Sequence, residues 1–348
     1  MTSRSNRLWR SPYLLVGIVF SAICLFLVLR QVDLTAVWDV LSQANYALVA
    51  LAAANVILIL MVKAARWRLL FYPSQRDVKY RNLLSALVAS VFVNFALPVR
   101  LGDLLRAYLA GLGGANRLHA LGTIAVEKLL DMIALAVMFL LLLPAADLPP
   151  WLLQPAWALA AMALIALLAG IIFKDKALRL LQTFENRMPA LSRLGISKKA
   201  SRALDSLEPL SHRTILLRMA AWTAIVWILS FATHQLVLRA LGLHLPLLAP
   251  LLLHTILQAG VAVPSSPGKL GVFHSLCVWT LSLLDVASAP AVSYSILLYF
   301  VVWTPPTILG IVSLWKNGRA IEIVRLAAQD SNASGTTSRQ ERFRLGAG

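Results

Sequence analysis

Long apolar runs recur along this chain, and they restrict its possible folds more than any other feature. A helix needs about 20 mainly apolar residues to cross the hydrocarbon core of a bilayer. Runs of this kind lie at about 12–30, 46–65, 119–143, 155–173, 215–241 and 290–315. Only 14% of the residues are charged and the mean hydropathy is +0.76, which lies outside soluble composition. The expected fold class is therefore an all-α polytopic membrane protein with about six full transmembrane helices.

The placement of charge orients these helices. The formal net charge of +17 would suit a nucleic-acid binder, but the Lys and Arg cluster in particular loops, as the positive-inside rule requires, so no nucleic-acid partner is expected. Arg4, Arg7 and Arg10 precede the first run, which ends in Leu27-Val28-Leu29-Arg30-Gln31 without small residues for cleavage; a retained first helix is expected. Lys63, Arg66, Arg68, Arg76, Lys79 and Arg81 mark the inside again, while the loops 31–45 and 144–154 carry acids and no Lys or Arg beyond Arg30. Arg239 and His244 are a mild breach of the rule, and Lys316 and Arg319 close the last helix inside. Both termini are thus expected in the cytoplasm.

Trp9, Trp67, Tyr72 and Trp315 fall at expected inner edges, and Trp38, Tyr46, Trp151 and Trp157 at outer ones. The basic segment 174–213 has Arg179, Leu180, Leu181, Phe184 and Arg187 at helical spacing, which fits amphipathic helices on the inner membrane face. It is too small for a catalytic domain of its own. Residues 1–327 then form one transmembrane domain, and the polar tail 328–348 is expected to be disordered. Cys24 and Cys277 lie in apolar runs and the six histidines lack ligand spacing, so no metal, disulfide or cofactor is expected; His119, His212, His234 and His254 are scattered singly and read as structural.

Charge also appears where it is expensive. Asn94-Phe95-Ala96-Leu97-Pro98-Val99-Arg100-Leu101-Gly102-Asp103-Leu104-Leu105-Arg106 sets two arginines and an aspartate beside a proline and a glycine, between two apolar arms. Pro98 removes a backbone donor and disfavours helical geometry at Leu97, so a helix through Asn94 should stop there and a new one start near Arg100. A solvated loop would explain the charges; so would a break inside the bilayer, whose freed backbone groups must face protein or water. Neither arm is long enough for a straight crossing and basic residues flank both, so a re-entrant hairpin from the cytoplasm fits best, although two short crossings would give the same parity.

The run 119–143 carries Glu127, Lys128 and Asp131 within about one turn. Glu127 and Asp131 share a face, and Lys128 is spaced to pair with Asp131. These three are candidates for a proton or charge relay. A second break, Pro264-Ser265-Ser266-Pro267-Gly268-Lys269-Leu270-Gly271, follows the apolar arm 246–263 and lacks basic flanks, as a hairpin entering from outside would. Three full helices separate the two breaks, so the hairpins would be opposed, and paired broken helices in inverted halves point to a transporter's central site. Asn94, Arg100, Asp103, Arg106, Lys269 and His274 are the candidate substrate-binding residues, with Pro98, Gly102, Pro264, Pro267, Gly268 and Gly271 forming the breaks. Helix ends and arginines bind phosphate well, which makes an anionic or phosphate-linked lipid the expected partner.

At these residues, over about 10–320, the chain resembles the lysylphosphatidylglycerol synthase transmembrane-region family, also called flippase-like domain proteins. The resemblance is carried by Asn94, Pro98, Arg100, Gly102-Asp103 and Arg106, by Glu127-Lys128 with Asp131, and by the late motif from Pro264 to His274. Lys269 stands where a glycine is usual in that family and His274 where an acid is usual, and the cytosolic aminoacyl-transferase domain of full-length synthases is expected to be absent. What the resemblance implies is the translocation half alone, a lipid translocase or transporter of the inner membrane, more a transporter than an enzyme. No Walker-type phosphate loop occurs, so ATP is not expected to drive it; Asp103, Glu127, Asp131 or His274 would carry the proton if a gradient did. The alternatives are a membrane-embedded transferase on a lipid-linked substrate and a lipid-presenting partner of a lipid-modifying enzyme. The oligomeric state is left open.

Overall fold

The computed structural model describes residues 33–73, 78–97, 101–142, 196–261 and 267–316, with isolated positions between 158 and 183. The expected first helix (12–30), the outer loop 144–154, Pro98, Arg100, Pro264 and the tail 328–348 lie outside the described residues, as does most of the helix expected at 155–173.

Among the described residues the fold is all-α: α1 Leu34–Ser42, α2 Tyr46–Leu69, α3 Tyr80–Ala96, α4 Gly102–Leu112, α5 Arg117–Leu142, α6 Ile196–Leu204, α7 Glu208–Ser211, α8 Arg213–Ala240, α9 Leu248–Val261, α10 Leu270–Ser282 and α11 Ser288–Lys316. Three of them, α2, α8 and α11, are long and apolar enough to cross a membrane by length and composition. Helix α1 occupies part of the expected exit loop; Asp33 caps it, accepting from the Thr35 backbone N–H at 2.9 Å and its hydroxyl at 2.6 Å. Asn45 caps α2 in the same way, accepting from the N–H of Ala47 and Leu48. Helix α2 runs on to Leu69, four residues beyond the expected end.

Helices α2 and α8 pack side by side in opposite directions. Asn45, at the start of α2, donates its N–H to the carbonyl of Ala240, the last residue of α8 (2.8 Å), and beyond their other ends the rings of Tyr72 and His212 lie 4.7 Å apart. Helix α5 starts near the Tyr72 end, where His119 meets Phe71, and finishes at Leu142 against Leu252 and Ile256 of α9. Helix α11 begins near α1, with Ser293 donating to the carbonyl of Val37, and reaches the Tyr72 end, where Ser313 and Ser85 are hydrogen-bonded.

Between these long helices sit two helical hairpins. In the first, α3 ends at Leu97, whose φ −107° and ψ 141° are extended, as a residue before proline prefers. Helix α4 then folds back until Gly113 lies against Asn82 near the start of α3. Gly102 makes this turn close: a Cβ there would collide with the Ser90 carbonyl and the Asn94 side chain. In the second, α9 and α10 fold back so that Leu251 and Leu284 join the cluster containing Leu142, placing its open end opposite that of the first. The two turns meet in the interior. Gly268 lies beside Phe95 of α3, and the Tyr299 hydroxyl donates to the Gly268 carbonyl at 2.8 Å.

Candidate binding site where the hairpins meet

A cavity of about 330 Å³ opens at this meeting point and draws its walls from α2, α3, α4, α5, α8, α9, α10 and α11. Of the expected substrate-binding residues, Asn94, Asp103, Arg106 and Lys269 line it, together with the expected relay residues Glu127, Lys128 and Asp131. His274 is not in its wall. It faces α11, where its Nδ1 is hydrogen-bonded to Ser295 Oγ at 2.9 Å.

On the first hairpin's side the charges form one connected network. Arg66 reaches Asp131 at 2.8 Å and Glu127 at 3.2 Å, and Arg106 reaches the other Glu127 oxygen at 2.8 Å. Arg66, Arg106 and Glu127 are 2%, 2% and 5% exposed, so this is a desolvated set that is tolerable only because its charges face one another. Arg66 also donates to Thr223 of α8, and the Arg106 guanidinium lies 3.8 Å over the ring of Trp67. Trp67 is itself held by its indole N–H donating to Thr123. The spacing expectation that Lys128 pairs with Asp131 does not hold: Arg66 from the neighbouring helix takes Asp131, and Lys128 approaches Asp103 of α4 at 3.9 Å instead. Asn94 turns its carboxamide oxygen to the N–H of Gly102 at 2.8 Å and so ties the two arms of the hairpin at its tip.

Two expectations from charge and aromatic position are corrected here. Arg66 belongs to this buried network and not to a solvated loop, because α2 continues past it. Trp67 is fully buried beneath Arg106 and is not an interfacial anchor, whereas Trp38 and Trp315 are 70% and 79% exposed, as edge residues should be. Lys63, one turn earlier on α2, is likewise no part of a basic flank; it lines the cavity and is in none of the ion pairs among the described residues.

On the second hairpin's side, Gly268 and Lys269 both adopt left-handed backbone, φ 71° and 55°. A side chain is strained in such backbone, so Lys269 is held there at a cost. The Lys269 ammonium lies 5.7 Å from the Trp303 ring, and Trp303 stacks on Phe95 of the opposite hairpin. His234 and His254 are not scattered singly: His234 Nε2 is 3.1 Å from His254 Nδ1, and His234 Nδ1 is 2.7 Å from the Tyr294 hydroxyl. They are 20 residues apart in sequence, on α8 and α9, so no local spacing revealed the pair. Among the described residues no group of three or more His, Cys, Asp or Glu could hold a metal ion. The cavity wall counts four cationic side chains, Lys63, Arg106, Lys128 and Lys269, against three carboxylates.

An all-helical bundle with membrane-length apolar helices, two interior-facing hairpins and a charged cavity between them defines a multi-pass membrane protein with a polar interior site. The chain belongs to the lysylphosphatidylglycerol synthase transmembrane-region family, whose pattern it matches over residues 14–310. A 136-residue stretch is also 28% identical to the glycosyltransferase AglD of Haloferax volcanii, covering 37% of this chain and 21% of that protein. The match therefore spans about a fifth of the relative's length. No solved structure matches the chain.

Proposed function

We propose that the chain is a lipid translocase or lipid transporter, moving an anionic or phosphate-linked lipid across the inner membrane without ATP. The observation that carries this reading is the cavity at the hairpin tips. Its cations outnumber its carboxylates, and the carboxylates already face arginine or lysine. A phosphate head group entering it would meet Lys63 and Lys269 from two sides, while its acyl chains stayed in the bilayer. Arg106 and Asn94 shape the wall from the first hairpin, and Arg100, outside the described residues, is proposed to join them.

In this reading α2, α5, α8 and α11, with the expected helices at 12–30 and 155–173, cross the membrane, and the hairpins are re-entrant from opposite faces. Both termini lie in the cytoplasm. Such an inverted pair lets one half rock against the other around a central site. The apolar faces of α5, α8 and α11 support lipid contact: Leu141, Ile228 and Phe300 are 59%, 63% and 61% exposed.

The test is leaflet exchange of labelled phosphatidylglycerol in liposomes holding the purified protein, beside Lys63→Ala and Arg100→Ala. Accelerated exchange that collapses in folded variants is the expected result; no acceleration for any anionic lipid defeats the reading. The likeness to a protein named a glycosyltransferase favours, as a second reading, a membrane-embedded transferase or a lipid-presenting partner of one. A chemically altered lipid recovered from the same vesicles would decide for it.

A further inference from the structure

We propose that His234 and His254 form a proton-binding site that takes up one proton when an anionic head group enters the cavity. The inference rests on the anionic-lipid reading above and gives it a coupling ion. Both rings line the cavity. Imidazole is the side chain whose charge ordinarily changes nearest neutral pH, and this pair is wired so that a proton taken at one end is shared. With His254 Nδ1–H donating to His234 Nε2 and His234 Nδ1–H donating to the Tyr294 oxygen, the chain runs from the cavity to a buried phenol. A proton from water adds to His254 Nε2, and the Nδ1 proton of the resulting imidazolium can shift to His234. Two imidazoliums 3.1 Å apart would repel, so the pair holds one proton.

The acids that the sequence nominates as carriers are less suited. Glu127 stands between Arg66 and Arg106, Asp131 faces Arg66, and Asp103 faces Lys128. Protonating Glu127 or Asp131 removes an ion pair of the Arg66 and Arg106 network, and protonating Asp103 removes its pair with Lys128. The histidine pair has no such partner to lose. Lys63 of α2 is the charged group that acts on His254, and Tyr294 of α11, itself beside Cys277 of α10, is bonded to His234; Asp103 and Arg106 of α4, Glu127, Lys128 and Asp131 of α5 and Lys269 share the cavity with the pair. Trp227 and Phe231 pack edge-on against His254 at 5.0 and 5.6 Å and form its apolar side. An arriving phosphate adds negative charge to this set and stabilises the imidazolium, so proton and anion should bind together.

The experiment is titration calorimetry of the full chain with soluble dihexanoyl phosphatidylglycerol, in buffers of different ionisation heat and across pH 5.5 to 8. Dihexanoyl phosphatidylcholine serves as the neutral control. Wild type should take up protons on binding the anionic lipid, its affinity falling with rising pH by up to about tenfold per unit where one proton is linked. His254→Gln and His234→Gln should lose the uptake and flatten the profile, and Tyr294→Phe should keep the uptake with a moved midpoint. If the histidine variants do not fold, infrared difference spectra of wild type with ¹⁵N-labelled histidine must show an imidazolium band on lipid addition. Anionic-lipid binding without proton uptake, or uptake unchanged in both histidine variants, overturns the proton site and leaves the translocase reading standing. No binding of anionic lipid by wild type overturns both.

Discussion

The two hairpins have related shapes and opposite chemistries. Each is a pair of short helices folded back around a Pro- and Gly-bearing turn, and each brings that turn to the centre of the bundle. The first is fixed by ions: two arginines, a glutamate and an aspartate, drawn from three helices, close a network in which the arginines and the glutamate are buried. The second is fixed by neutral groups: His234 with Tyr294 and His254, His274 with Ser295, and the Tyr299 hydroxyl on the Gly268 carbonyl. Two opposed hairpins thus meet at one cavity without sharing their side-chain chemistry. The consequence is a cavity with an arginine–carboxylate network on one wall and, on the other, a histidine pair beside Lys269.

This contrast is tested most severely at Glu127. Glu127→Gln removes the negative charge that two buried arginines share and turns one of its two acceptor oxygens into a donor, and breaking such a pair on one side costs about 3 to 5 kcal/mol. The thermal midpoint of the purified protein should fall steeply. His274→Gln, which disturbs one neutral hydrogen bond to Ser295, should cost about 0.5 to 1.5 kcal/mol. Equal losses at the two positions would mean that the halves do not differ in the way their interactions indicate.

Gly102→Ala probes the shape of the first hairpin without touching its charge. The added methyl has no room between Ser90 and Asn94, and overpacking of this kind costs about 1 to 3 kcal/mol. The Asn94 bond to the Gly102 N–H should be lost with it, so Asn94→Ala made on top of Gly102→Ala should add little to the melting shift; full additivity would show that the two act independently.

How much of this was legible follows from the range of each signal. Breaks signalled within a few residues, by Pro98 with Gly102 and by Gly268 with its flanking prolines, could be read because proline and glycine act on their own backbone. The charges of α5 could be assigned to the interior because they are out of place in an apolar run. Their partners could not. Arg66 and Lys63 sit at the end of an apolar helix beside a truly basic loop, and only the continuation of α2 to Leu69 separates them from it. Asp131 has Lys128 at the right spacing on its own helix, yet a guanidinium from α2 reaches it with better geometry. The histidine pair joins α8 to α9, and no periodicity within either helix reports a contact between them.

Lys269→Gly sharpens the comparison by separating stability from binding. A side chain in left-handed backbone is strained by about 1 to 2 kcal/mol, and glycine returns about 0.5 to 1 kcal/mol of that as chain entropy. The melting temperature should hold or rise slightly. Losing a charge-assisted contact of about 1.5 to 3 kcal/mol should nevertheless weaken phosphatidylglycerol binding by about tenfold or more, measured by the same calorimetry. A variant that melts earlier and binds as before would mean that Lys269 serves the turn and not the cavity.

The smallest effect is expected where charge meets water. Lys128 is paired to Asp103 at 3.9 Å, with their side chains 53% and 27% exposed, and pairs of this kind contribute about 0 to 1 kcal/mol. Lys128→Met and Asp103→Asn should each shift the melting temperature only slightly, and the double variant should reveal a coupling under about 1 kcal/mol. Although Lys128 is adjacent in sequence to Glu127, it points to a wetter part of the cavity, where water screens the ammonium and keeps it available to an incoming anion. A coupling of several kcal/mol would place Lys128 inside the dry network instead. Head-group recognition would then fall to Lys63 and Lys269, with Arg100 as proposed above.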